Sequence, residues 1–174
     1  MAADVRAVLD ARSIATAAIV GWSDGATIGW FLAKSAPERV AGLFFFGANL
    51  DPSGAKDPFD ASPLIDRCFA RHARDFAALS PAPEGFRQFV GAVTAMMRRK
   101  PNCSAAELAA ASVPMTLVHA ERDEFIHRSH IDRLARTILN AELLVLPGVS
   151  HFAPLQRPAV FNGAMLAFAH NVAR

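Results

Sequence analysis

Ile14-Ala-Thr-Ala-Ala-Ile-Val20, followed at once by Gly21-Trp22-Ser23-Asp24-Gly25, decides how this chain is read. The first run is short and apolar and does not alternate polar with apolar residues, the pattern of a strand buried on both faces. It stops at Gly21. Residues Ala26 to Lys34 then read as a helix that Pro37 prevents from continuing. A G-x-S-x-G turn between a strand and a helix lifts the Ser23 hydroxyl off the end of the sheet, and its glycines permit close backbone approach. The helix that starts beside Ser23 aims free N–H groups and its positive end at any negative charge that develops there. The plainer alternative is a glycine-punctuated turn with a serine cap.

Outward from this elbow the pattern repeats. Ala2 to Ala11 places Val5, Val8 and Leu9 at helical spacing. Val40 to Phe46 is a second strand closed by Gly47, Met115 to His119 a third after Pro114, and Glu142 to Leu146 a fourth before Pro147 and Gly148. Ser129 to Leu139 and Pro158 to Val172 carry apolar faces at helical spacing. Short apolar strands alternating with helices predict a parallel α/β sheet of about four strands. One connection, Gly47 to Val113, is far longer than a simple crossover requires. It opens with the turn-rich stretch Asn49 to Pro58 and continues with helices over roughly Pro63–Leu79, Glu84–Arg99 and Ser104–Ala111. The organisation expected is a core of residues 1–48 and 112–174 with a helical cap inserted at 49–111.

Composition bounds the rest. A chain of 174 residues, 52% hydrophobic, supports one domain with a real core, and its net charge of +2 excludes a nucleic-acid binder recognised by charge. The apolar runs are too short to span a bilayer, and the first ten residues lack the order of a signal peptide. The two cysteines, Cys68 and Cys103, form neither a disulfide framework nor a metal-ligand pattern, so a reducing, cytoplasmic setting is expected.

A nucleophilic serine needs a base, and the base needs an orienting carboxylate. In an elbow architecture these follow in the order serine, acid, histidine. The third strand runs into His119-Ala-Glu-Arg-Asp123, and the segment after the fourth holds Pro147-Gly-Val-Ser-His-Phe152. Asp123 and His151 thus each lie just beyond a strand's carboxyl end, where such sheets present their ligand crevice. Glu121 and Glu124 are rival carboxylates.

These four stretches, Gly21–Gly25, Phe46–Asn49, His119–Asp123 and Gly148–Phe152, resemble the α/β-hydrolase superfamily over nearly the whole chain. More closely, they resemble its capped bacterial members and the valacyclovir-hydrolase-like branch. The resemblance implies a partial α/β-hydrolase fold with Ser23 as nucleophile, His151 as general base and Asp123 as orienting acid. It also implies the Asp24 backbone N–H as an oxyanion donor. Ala26 and Ala120 depart mildly, standing where relatives often have glycine. A larger departure is that only 22 residues precede Ser23. The family's earlier strands and the loop giving the second oxyanion N–H have no counterpart, as in a truncated product or a half-domain.

The function expected is therefore hydrolysis of a small carboxylic ester or lactone, with no cofactor, metal, nucleic acid or membrane involved. Amide or carbon–carbon bond hydrolysis uses the same triad. The rival is a catalytically silent remnant of the same fold that self-associates, since Ile14–Val20 would form an apolar edge inviting a homodimer. Trp22, Asp24 and Phe152 are candidate substrate contacts; for Asp24 the alternative is compensation of a helix N-terminus, and for Trp22 core packing. Phe59, Phe69, Phe76, Phe86, Phe89, Met96 and Met97 either wall an acyl pocket or pack cap helices. Arg67, Arg71 and Arg74 with His72 read as a solvated helix face. His127 and His130 lack the companions of a metal pair.

Overall fold

The computed structural model describes residues 1–173; Arg174, the last residue assigned to the core, lies outside them. Helix α1 (Ala2–Ala11) leads into β1 (Ala17–Trp22), α2 (Asp24–Ser35) and β2 (Val40–Phe46). The long connection holds α3 (Pro63–Leu79), α4 (Phe86–Met97) and α5 (Ala105–Ala109). The chain then runs through β3 (Met115–Arg122), α6 (Arg128–Thr137), β4 (Ala141–Ser150), α7 (Ala153–Gln156) and α8 (Pro158–Val172). The four strands are parallel, in the order β1-β2-β3-β4.

The strand period of two sorts the core into layers. Leu43 and Phe45 of β2 face one side, joining Trp30 of α2, Leu108 of α5 and Ile131 and Leu134 of α6. Phe44 and Phe46 face the other, joining Val118 of β3, Leu146 of β4 and Phe161 and Phe168 of α8. Each fully buried aromatic contributes roughly 1.5–3 kcal/mol relative to exposure, so the fully buried Phe44, Phe45 and Phe46 of β2 anchor both faces of the sheet. Helix α5 is pinned to α2 by an ion pair between Lys34 and Glu107 and is opened by a capping box on Ser104.

Helices α3 and α4 behave differently. They meet through Phe76 against Phe86 and Phe89, with ring centroids 5.4 Å apart in each pair. Beyond that contact, α3 fully buries only Ile65, and α4 buries none of its residues. Most of the cap-region aromatics considered above are therefore partly exposed.

Three expectations need correction. The first strand begins at Ala17 rather than Ile14, and the Ile14 and Ala15 carbonyls before it accept hydrogen bonds from the Arg39 guanidinium at 2.9 and 2.7 Å. Nor is β1 buried on both faces: it lies at the sheet edge, as expected, but Ala18 and Val20 are exposed, with Val20 43% accessible. Finally, β4 does not stop before Pro147 but continues to Ser150, with an irregular register opposite Ala120 and Arg122. Proline is tolerated there because β4 is also an edge and that N–H needs no ladder partner.

Candidate active site

The carboxyl ends of β1, β3 and β4 bring three short segments together. At the end of β1, Gly21 packs so tightly against the following helix that a Cβ would stand 2.4 Å from the Ala26 Cα. Only glycine fits. Ser23 adopts φ 54° and ψ −126°, a left-handed conformation that costs a non-glycine residue energy and holds it at a sharp corner. Its N–H donates to the Phe46 carbonyl at 2.9 Å, tying the corner to the end of β2. Asp24, exposed, opens α2, so its N–H has no partner within the helix.

The second segment follows β3. Asp123 is 3% exposed, and its Oδ1 accepts the N–H groups of Phe125 and Ile126 at 2.9 and 3.0 Å. The third segment presents His151, 5% exposed, whose Nδ1 lies 3.2 Å from both Asp123 carboxylate oxygens. Burial by itself would push the Asp123 carboxyl up. The His151 hydrogen bond, the charge of that ring and the two backbone N–H groups outweigh burial and hold it below the usual carboxylate range.

The rival carboxylates grip the same histidine segment elsewhere. Glu121 accepts the Gly148 N–H at 2.6 Å, and Glu124 accepts the His151 N–H at 3.0 Å. The imidazole itself goes to Asp123. Aromatic rings surround it: Phe125 edge-on with centroids 4.8 Å apart, Phe152 at 5.6 Å, Trp22 at 6.0 Å and Phe46 at 6.3 Å. Trp22 also meets Phe152 edge-on at 6.0 Å. Trp22 and Phe152 are thus brought together beside His151, Phe152 buried and Trp22 half-buried, while Asp24 points away into solvent.

Gly47 is a residue that sequence reasoning passed over as a strand terminator. It has φ +62°, and a Cβ there would lie 3.0 Å from His151 Cε1 and Nδ1 and 3.3 Å from Asp123 Oδ2. The end of β2 therefore forms a floor between the Ser23 corner and the Asp123–His151 pair. Among the described residues no hydrogen bond joins the Ser23 hydroxyl to the His151 ring; the two meet through Phe46 and Gly47.

A cavity of about 670 Å³ opens against the acid segment, lined by Lys56, Arg67, His119, Arg122, Asp123 and Ser150 among others. Neither Ser23 nor His151 lines it. Among the described residues no group of three or more His, Cys, Asp or Glu side chains is placed to hold a metal ion. His127 is exposed and His130 buried, its Nε2 accepting the Leu50 N–H at 3.1 Å.

Residues 1–164 match the model of the Alpha/beta hydrolase family. Among solved structures, the chain is similar to a meta-cleavage product hydrolase from Pseudomonas fluorescens IP01. The identity is 21%, over 98% of this chain and 70% of that one, with a TM-score of 0.77. It is similar to a hydrolase from Pseudomonas aeruginosa PA01 at 23% identity, over 96% of this chain and 69% of that one, with a TM-score of 0.66. It is also similar to Est816, an N-acyl homoserine lactone degrading enzyme, at 25% identity, over 96% and 73% of the two chains, with a TM-score of 0.65.

Proposed function

The chain belongs to the alpha/beta hydrolase family, and on that premise we propose that it is a serine hydrolase of small carboxylic esters or lactones. Ser23 attacks the carbonyl carbon and passes its proton to His151 Nε2, while Asp123 on Nδ1 fixes the ring and steadies the imidazolium. The Asp24 N–H supports the oxyanion. His151 returns the proton to the leaving alcohol, and water deacylates Ser23 through the same base.

The observation that carries this reading is the buried Asp123–His151 pair, 3.2 Å apart, at the same end of the sheet as the left-handed Ser23 corner. A serine–histidine hydrogen bond that is long without substrate commonly tightens in the complex. The likeness to Est816, an N-acyl homoserine lactone degrading enzyme, supports keeping lactones among the substrates. Within the family we place the chain with the capped, valacyclovir-hydrolase-like members, residues 49–111 being the cap and its half-exposed aromatics the acyl wall. Two free cysteines fit a cytoplasmic setting. The test is labelling of the folded protein with a fluorophosphonate probe together with 4-nitrophenyl acetate turnover. Both should vanish in Ser23→Ala; labelling that survives the substitution overturns the assignment.

The exposed edge of β1 favours a second reading, self-association of two copies through that strand. Sedimentation should then show a dimer that Val20→Lys dissociates. A monomer at all concentrations removes it.

A further inference from the structure

Two adjacent carboxylates grip one histidine from different sides. Asp123 takes the imidazole, whereas Glu124 takes the main chain, its Oε2 accepting the His151 N–H at 3.0 Å. Glu124 is 7% exposed, and a carboxylate removed from water to that degree is costly unless its oxygens are occupied. Both are. Oε1 accepts the Ser62 hydroxyl at 3.4 Å, and Ser62 in turn accepts the Ile65 N–H at 3.3 Å as the N-cap of α3. The stem before α3 is stitched to the same segment twice more. The Asp60 N–H donates to the Glu124 carbonyl at 3.0 Å, and Lys56 Nζ donates to the Asp123 carbonyl at 2.8 Å.

We propose that Glu124 is a positioning residue, fixing the backbone of His151 through a charge-assisted hydrogen bond and linking it through Ser62 to the first helix of the insertion. The assignment rests on the reading of His151 as the base. Hydrogen bonds from backbone N–H to a carboxylate are short and about twice as strong as neutral ones. Asp123 sets which way the ring faces, but the distance from Nε2 to the Ser23 hydroxyl depends on where the His151 main chain sits, and Glu124 sets that. Glu121, exposed and bound to Gly148 three residues earlier, has less hold on the ring.

The experiment compares Glu124→Ala, the near-isosteric Glu124→Met and Glu124→Gln with 4-nitrophenyl acetate as the probe. A base displaced by about an ångström loses on the order of 10²-fold in rate. Ala and Met should therefore lower kcat by that order with KM unchanged. Gln, whose amide oxygen still accepts the His151 N–H, should restore most of kcat. Ser62→Ala should lower kcat by a smaller factor in the same direction. A wild-type kcat in whichever of Ala and Met folds, or Gln falling as far as they do, overturns the proposal. Ser23→Ala measured in parallel separates the two failures. Retained turnover there sinks the triad itself. Lost turnover there, with kcat kept in the Glu124 variants, sinks only the positioning role.

Discussion

Of the three histidines buried among the described residues, His151 and His130 each lie beside an aspartate and pack on a glycine, and the fold treats these two in opposite ways. His151 gives Nδ1 to Asp123 and sits in a ring of aromatic side chains at the end of the sheet. His130, 3% exposed, spends Nε2 on the Leu50 N–H. Its Nδ1 lies 2.9 Å from Arg133 Nη2 and 3.8 Å from Asp51, with Arg133 and Asp51 paired to each other. Burial first, and then the Arg133 and His127 charges, push the His130 ring down to about 4 against the pull of Asp51. To take a proton on Nε2 it must break the Leu50 bond. If His151 is the base proposed above, a histidine–aspartate pair becomes a proton carrier or a structural latch according to which ring nitrogen a backbone group has already claimed.

The sharpest break between the two sites is expected in turnover. Asp123→Asn should lower kcat on 4-nitrophenyl acetate on the order of 10⁴-fold, since the amide favours the wrong tautomer of the base. His130→Gln should leave kcat essentially unchanged. Equal losses in both would erase the distinction.

The glycine floors supply the next contrast. Gly47→Ala combines a left-handed backbone, costing about 1–3 kcal/mol for a side chain, with a Cβ 3.0 Å from His151. It should depress kcat as well as stability. At Gly54 a Cβ would meet the His130 ring at 2.5 Å; overpacking of this kind costs typically about 1–3 kcal/mol. Gly54→Ala should therefore lower the urea midpoint and spare kcat.

Removing the latch is the third test. His130→Ala strands the Leu50 N–H, and a buried unsatisfied group costs about 1–3 kcal/mol. Equilibrium denaturation should register that loss while fluorophosphonate labelling of Ser23 proceeds at the wild-type rate.

The last contrast is in pH dependence. His130 is held at about 4 in the folded protein against an ordinary 6.5, so between those values the unfolded chain binds the proton that the folded one refuses. Stability is then full above pH 6.5 and declines on acidification toward pH 4, which a melting temperature measured across that window should show. His119, also pushed down by burial, adds a loss of the same sign. His130→Gln should flatten the slope in part. A slope that persists unchanged would assign the titration elsewhere.

Much of the architecture was legible in residue order. Val40–Phe46, Pro63–Leu79 and Pro158–Val172 were readable to the residue, because a continuous apolar run and a proline start are local signals. The errors lie where distant groups intervene. A long-range side chain, Arg39, meets the Ile14 and Ala15 carbonyls where β1 was expected to start, and β4 passes through Pro147 because no strand lies beyond it. At the site, the sequence put Asp123 ahead of its rivals Glu121 and Glu124 but said nothing of what those two hold. Their division between the Gly148 N–H, the His151 ring and the His151 N–H depends on how β3 and β4 pair. Gly47 carried only a strand-end signal, and nothing local marked it as the surface on which His151 rests.

The sequence by itself determined the parallel α/β class, the strand-elbow-helix at Ser23 and the order of the chemically equipped segments, since these follow from hydrophobic period and backbone sterics within a few residues. Tertiary structure alone decided which N–H groups the neighbouring acids Glu121 and Glu124 hold, that one face of β1 is exposed, and that His130 is a latch. Those outcomes depend on which polar group is buried against which partner. Burial and hydrogen-bond satisfaction belong to the packed chain and not to any segment of it.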